Sequence, residues 1–303
     1  MAQGIVNSIV PRSAFALGVS RVIVHGIFLF SATFTDFSAL GSLPVTILRP
    51  TGVMKLLPWS FYDQLLTPSG ILILKAALVV SLLFSTAGYL TRLTTKTSFL
   101  LILFNEGLLR SFGHFNHGEM LAVYCLAVLA FTPCGDAFSV DSRWRARAPA
   151  NEKKTRSPFA YAYPILLMQL LVAWAYFSSA LIKLRVAGLA KYLSPDNLPS
   201  LAIYHSLDNL HDTGFRLAFS LPQVRAYLPF AVGLVLIWEL LFPLAVFWRR
   251  ARWWFLGLGW VFHASTLFVM NIFFPHHLML YLLFVNWDAE STKTRAKRWL
   301  KFR

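Results

Sequence analysis

A chain of 303 residues that is 57% hydrophobic, 16% aromatic and 14% charged, with a mean hydropathy of +0.58, carries too little charge for a water-soluble protein of this length, because soluble domains hold about 25% charged residues. The net charge of +15 does not point to nucleic acid: the Lys and Arg residues lie in short connections between apolar runs, where positive charge acts as a topology signal. The two cysteines, Cys125 and Cys134, form no CxxC, so neither a disulfide framework nor a cysteine metal site is expected.

A helix needs roughly 20 apolar residues to cross the hydrocarbon. In chain order the predicted spans are 14–34, 70–90, 97–113, 118–133, 160–182, 227–248, 253–271 and 275–288. The first is read as a retained helix, since Arg21 and His25 interrupt its middle and Phe34, Asp36 and Phe37 follow where a signal peptide would have small residues. The last two are short and close together, which leaves a seven-span or re-entrant arrangement open. Two long connections, 35–69 and 183–226, mix apolar and polar residues with Pro and Gly, a composition suited to interfacial helices such as Leu198 to Leu210. The expected fold is all-α: a polytopic membrane helical bundle of about eight transmembrane helices, with interfacial helices in two long outer loops. It forms one domain over 1–303 that closes in a basic tail, 289–303.

With the N-terminus inside, inner segments hold eighteen Lys and Arg and outer segments nine. That bias predicts both termini in the cytoplasm. It also gathers six of the eight histidines at the outer face: His114 and His117 between the third and fourth spans, His205 and His211 in the second long loop, His276 and His277 in the last hairpin. Lys183 falls at the outer end of the fifth span, while His25 and His263 lie deeper.

Ionisable groups at membrane depth are costly and tend to pair, to face a cavity or to act. The stretch from Arg110 to Glu119, which contains His114, Asn116 and His117, reads either as a polar turn between helices or as a cluster that handles protons or orients a ligand. Lys183 with Arg185 reads either as snorkelling to the interface or as a lysine partly desolvated by its pocket, and desolvation favours a neutral, basic amine. Arg21, Glu106, Glu239 and His263 are intramembrane in this topology. Arg21 and Glu106 are expected to hold helices in register through an acid paired with a histidine or arginine. Glu239 with His263 is open between that role and a functional one. A histidine metal site is not expected, because His276 and His277 are adjacent and no other HxxH or HxxxH pair occurs beyond His114 and His117.

Four stretches together resemble the membrane domain shared by vitamin K-dependent gamma-carboxylase and its bacterial relatives, the HTTM (horizontally transferred transmembrane) family. Asn116-His117 opens the fourth span. Ser139-Val140-Asp141 follows it. Tyr176-Phe-Ser-Ser-Ala-Leu-Ile-Lys183-Leu184 is similar to the family's Tyr-Phe…Lys-Leu helix, and Phe262-His263 with the upstream Glu239 to its Phe-His and acid. The resemblance covers about 14 to 288. It implies that Lys183 is the base deprotonating a vitamin K-like hydroquinone, that His117 with Asn116 supports the resulting oxyanion, and that Tyr176, His114, His263 and Glu239 line the site of the reduced quinone. The family's lumenal peptide-binding region has no counterpart before Arg303, and the acid and tryptophan expected soon after the lysine are replaced by Arg185-Val-Ala-Gly188.

The function these readings lead to is a carboxylase-like or epoxidase-like membrane enzyme acting on a quinol or another lipid-soluble substrate. The alternative is a non-catalytic accessory, maturation or immunity factor that keeps the fold. A transporter is disfavoured by the absence of inverted repeats. Expected partners are the lipid bilayer and a peptide or small-molecule substrate, without nucleic acid or metal, and the expected location is a bacterial inner membrane.

Overall fold

The computed structural model describes residues 12–113, 118–147, 156–208 and 217–288, and among them every regular element is helical. The α-helices are α1 (Ala14–Phe34), α2 (Trp59–Leu65), α3 (Pro68–Ala87), α4 (Thr91–Ser111), α5 (Met120–Ala130), α6 (Val140–Arg145), α7 (Phe159–Tyr192), α8 (Asn197–Asp208), α9 (Leu228–Leu241), α10 (Leu244–Phe247), α11 (Arg249–Met270) and α12 (Pro275–Leu280). Two compact units divide the chain. The first runs to Met168 and resumes at Val285; the second is Gln169–Phe284.

Five helices are long and apolar enough to cross a membrane: Ala14–Phe34, Pro68–Ala87, Phe159–Tyr192, Leu217–Leu241 and Arg249–Met270. Their surfaces carry large apolar side chains outward, among them Phe34, Leu72, Trp174, Phe230 and Trp254. Each would cost roughly 1.5–3 kcal/mol to leave in water, a penalty that acyl chains remove. The other three predicted spans take different forms. Helix α4 opens with Thr91, Arg92, Thr94, Thr95 and Lys96, so its apolar part is short. Helix α5 has 11 residues, about 16 Å at 1.5 Å per residue, half the hydrocarbon thickness. The 275–288 run becomes the six-residue α12 followed by a 3-10 turn, Tyr281–Phe284. The expected 227–248 span breaks after Leu241, where Pro243 cannot donate to a helical ladder.

In the first unit α1 packs on α3, α3 on α4, and α4 on α5. Arg21 of α1 is fully buried there. Its guanidinium donates to the carbonyls of Cys134 (2.8 Å), Thr86 (3.2 Å) and Phe138 (2.6 Å). An arginine paired with an acid was the expectation; instead its two terminal nitrogens donate to backbone, while Nε is buried without a hydrogen-bond partner among the described residues. Thr86 closes α3, where terminal carbonyls lack intrahelical donors and the helix dipole favours a cation. Its neighbour Asp141 accepts from Leu90 N, Thr91 N and the Thr91 hydroxyl at 2.7–2.9 Å, capping α4, and Ser139 caps α6 through a capping box. The Ser139-Val140-Asp141 element is thus a helix-capping device. Glu106, expected to pair with a histidine or arginine, lies within electrostatic reach of both Arg110 and Glu119.

The second unit repeats the arginine solution. Arg252, one residue ahead of the predicted 253–271 span, is buried. It donates to Ala245 O (2.9 Å), Val246 O (3.0 Å) and Phe284 O (3.1 Å). The break at Pro243 releases the carbonyls around α10, and the guanidinium takes them up.

Candidate functional site

On α7, Tyr176, Ser179 and Lys183 stand at i, i+3 and i+7, which places them on one helical face. Opposite them the second unit sets Glu239 on α9, His263 on α11, His277 on α12 and Tyr281 just beyond. Helix α7 runs on past the 160–182 run expected for this span, to Tyr192, so Lys183 lies within a helix rather than at its end. The chain bends at Gly188, whose φ of 72° and ψ of 158° suit glycine almost alone. The bend returns the Tyr192 ring to 5.9 Å from Lys183 Nζ, whereas nine residues of straight helix would separate the two by about 13 Å.

Lys183 and Glu239 form an ion pair, Nζ to Oε1 at 2.5 Å, with Ser179 Oγ donating to the same carboxylate oxygen at 3.4 Å. The Glu239 side chain is 2% exposed and that of Lys183 28%. The other carboxylate oxygen, Oε2, is buried and has no hydrogen-bond partner among the described residues. Arg185, two residues on, is exposed; the two cations that look alike in sequence have different surroundings.

Beside this pair runs a chain of three polar groups. Tyr176 Oη lies 2.6 Å from His263 Nε2 and 2.6 Å from Tyr281 Oη. A tyrosine hydroxyl has one proton, so it donates to one neighbour and accepts from the other. If it donates to Nε2, His263 holds its proton on Nδ1; if Nε2 donates, Nδ1 is a bare acceptor. Either way Nδ1 is buried without a partner among the described residues. Trp238 and Phe242 flank the Tyr176 ring at 4.9 and 4.4 Å between centroids, and Trp238 is held by Nε1 donating to Phe255 O at 3.0 Å. Gly259 of α11 makes room for Tyr281: a β-carbon there would coincide with its hydroxyl and ring.

Four residues singled out in the sequence, Tyr176, Lys183, Glu239 and His263, are therefore brought into one unit. The pairings differ from those expected. Glu239 and His263 do not pair; the carboxylate takes the lysine, since a hydrogen bond between two charged groups outweighs one to a neutral imidazole, and the imidazole takes Tyr176. His263, placed deeper than the outer histidines, has its ring 5.4 Å from that of His277. His114, Asn116, His117 and His211 lie outside the described residues. Tyr281, Ser179 and Tyr192 were not anticipated. The i, i+3, i+7 spacing with Tyr176 and Lys183 would have found Ser179; nothing in the sequence marks Tyr281 or Tyr192. Among the described residues no three His, Cys, Asp or Glu side chains converge as a metal-holding group, and both cysteines are buried and unbridged.

No family model, curated protein or solved structure matches this chain.

Proposed function

We propose that the chain is a carboxylase-like integral membrane enzyme that deprotonates a quinol or another lipid-soluble hydroxyl compound, with Lys183 and Glu239 acting together as the base. The reading is supported by one observation above all: an ion pair with a buried, unpartnered carboxylate oxygen stands in the same unit as a Tyr176–His263 hydrogen bond whose distal nitrogen is also unpartnered. All four residues carry the resemblance to the vitamin K-dependent carboxylase domain. A buried acceptor left open costs about 1–3 kcal/mol, and a ligand hydroxyl relieves that cost.

A quinol fits these donors and acceptors and would supply the acidic hydroxyl and the redox chemistry. The protein's part is proton handling. The pair already shares one proton and accepts a second at Glu239 Oε2, which leaves the Lys183 ammonium to balance the charge of the deprotonated substrate. His263 and Tyr176 orient an oxygen of the ligand through Nδ1 and the hydroxyl chain. The resemblance assigns a supporting role to Asn116, His117 and His114, which lie outside the described residues. The finer topology of eight spans, cytoplasmic termini and a bacterial inner membrane belongs to the same proposal.

The test is protein in lipid nanodiscs supplied with reduced quinones and oxygen, with epoxide formation measured beside Lys183→Ala and Glu239→Gln. Turnover in the unsubstituted protein and a loss of about a hundredfold or more in both variants is expected, the scale of general-base contributions. Equal traces in all three reject the assignment. A second reading, a non-catalytic accessory or immunity factor, draws on the closed Lys183–Glu239 contact, which can equally serve as a strut between α7 and α9. It predicts no turnover with any quinone and a stability loss in the same variants.

A further inference from the structure

The connection between α1 and α3 is tied down at several points. Arg49 N–H donates to the carbonyl of Ser111, the last residue of α4, at 2.7 Å. Lys75 of α3 donates to Thr35 O, just past α1, at 2.8 Å. The connection therefore sits level with the ends of α1 and α4 and the start of α3. One of its sides packs inward: Leu48, Met54, Tyr62 and Leu66 form a buried cluster with Ile71 and Leu108, and the Tyr62 hydroxyl donates to Met54 O at 2.5 Å.

The other side of the same short stretch faces out. Val53 is 72% exposed, Leu56 83% and Trp59 55%, and the inward anchors alternate with them, so the backbone cannot turn to hide both sets. Fully burying each such side chain is worth about 1.5–3 kcal/mol, which makes their exposure to water improbable as a resting arrangement. Phe34 at the end of α1 and Leu72 and Ile73 at the start of α3 are exposed as well, all on helices of membrane-crossing length. Tryptophan beside an exposed Lys55 is the composition of the boundary between headgroups and acyl chains.

We propose that Val53, Leu56 and Trp59 seat in the headgroup–acyl boundary of the bilayer, so that residues 52–62 are an interfacial anchor lying on the lipid. Lys55 then reaches the headgroup phosphates while its stem stays against the apolar surface.

The native cysteines are both fully buried, so a single introduced cysteine can be labelled with an environment-sensitive fluorophore. Leu56→Cys is compared with Leu72→Cys on α3 and with Asp196→Cys, an exposed position in the polar connection between α7 and α8. The full-length protein is reconstituted in phosphatidylcholine vesicles with brominated acyl chains. The label at 56 is expected to emit blue-shifted and to lose about half its intensity, because a side chain seated roughly 5–10 Å into the boundary lies within reach of shallow bromines; the label at 72 behaves likewise and that at 196 does not. Emission and quenching at 56 matching those at 196 overturn the proposal in favour of water exposure. Protection from both brominated lipid and aqueous iodide overturns it in favour of a protein partner or a second copy on this face.

Discussion

Arg21 and Lys183 are both cations set inside long apolar helices, and they are satisfied in opposite ways. Arg21 is fully buried in the first unit and gives its donors to three backbone carbonyls, which neither titrate nor move without unfolding the turns that present them. Lys183, in the second unit, donates a hydrogen bond to the side chain of Glu239 and keeps about a quarter of its surface open. The planar five-donor fork of arginine suits fixed carbonyls at several angles, whereas a lysine is a single mobile point charge with a removable proton. One cation is fixed against backbone and the other faces an ionisable side chain. The same contrast recurs inside the second unit, where Arg252 donates to three carbonyls at the broken end of α9 and beyond.

The contrast can be broken by substitution, and the largest effect belongs to the clamps. Arg21→Met strands three carbonyls in the core and should lower stability by about 3–5 kcal/mol, read as a fall in the thermal midpoint in detergent micelles. Arg252→Met should behave alike, and Arg21→Lys should recover little because one ammonium does not span three acceptors. A loss within about half a kcal/mol, the usual range for a neutral surface change, would show that Arg21 is no clamp. Next comes Lys183→Met, which leaves the Glu239 carboxylate buried and alone, at about 3 kcal/mol. Glu239→Gln should cost less, since the lysine keeps access to solvent. The double variant Lys183→Met with Glu239→Leu should be more stable than Lys183→Met, and chemical denaturation of the four proteins gives the coupling directly.

A smaller loss, about 1–3 kcal/mol, is expected for Gly188→Ala, where open space surrounds the β-carbon position and only the backbone conformation resists. If the same variant also alters the reactivity of Lys183 toward an amine-acylating reagent, the bend that carries Tyr192 contributes to the lysine's environment. The smallest effect is that of Tyr281→Phe, about 1 kcal/mol for one hydrogen bond. It should leave the Tyr176–His263 contact in place, and histidine proton resonances that do not shift would separate Tyr281 from the chain altogether.

Much of the helical frame was legible in the residues. The 14–34 run is helix over the same residues, and the Leu198 to Leu210 segment is helix as Asn197–Asp208, because apolar runs and interfacial patterns are local properties. Two helices depart from the expected bounds for local reasons as well: α4 begins at Thr91, ahead of the 97–113 run, and Pro243 stops α9 at Leu241. Lys183, Glu239 and His263 were identifiable as candidates because ionisable groups within apolar helices need partners, whereas Tyr176 was singled out only by the resemblance of its helix. Which partner each would take was not legible. Glu239 meets a residue 56 positions away and Tyr176 one 87 positions away, and no local pattern encodes such distances.

The sequence by itself determined that the chain is helical, that several of its helices are apolar enough for a bilayer, and which side chains would be costly to bury. The tertiary structure alone decided how those costs are met: carbonyls freed at helix ends for the arginines, a carboxylate for Lys183, a tyrosine for His263. The reason is physical. Helix formation and hydrophobicity are summed over neighbours in the chain, while hydrogen bonds and ion pairs depend on atoms brought within about 3 Å by packing between distant segments.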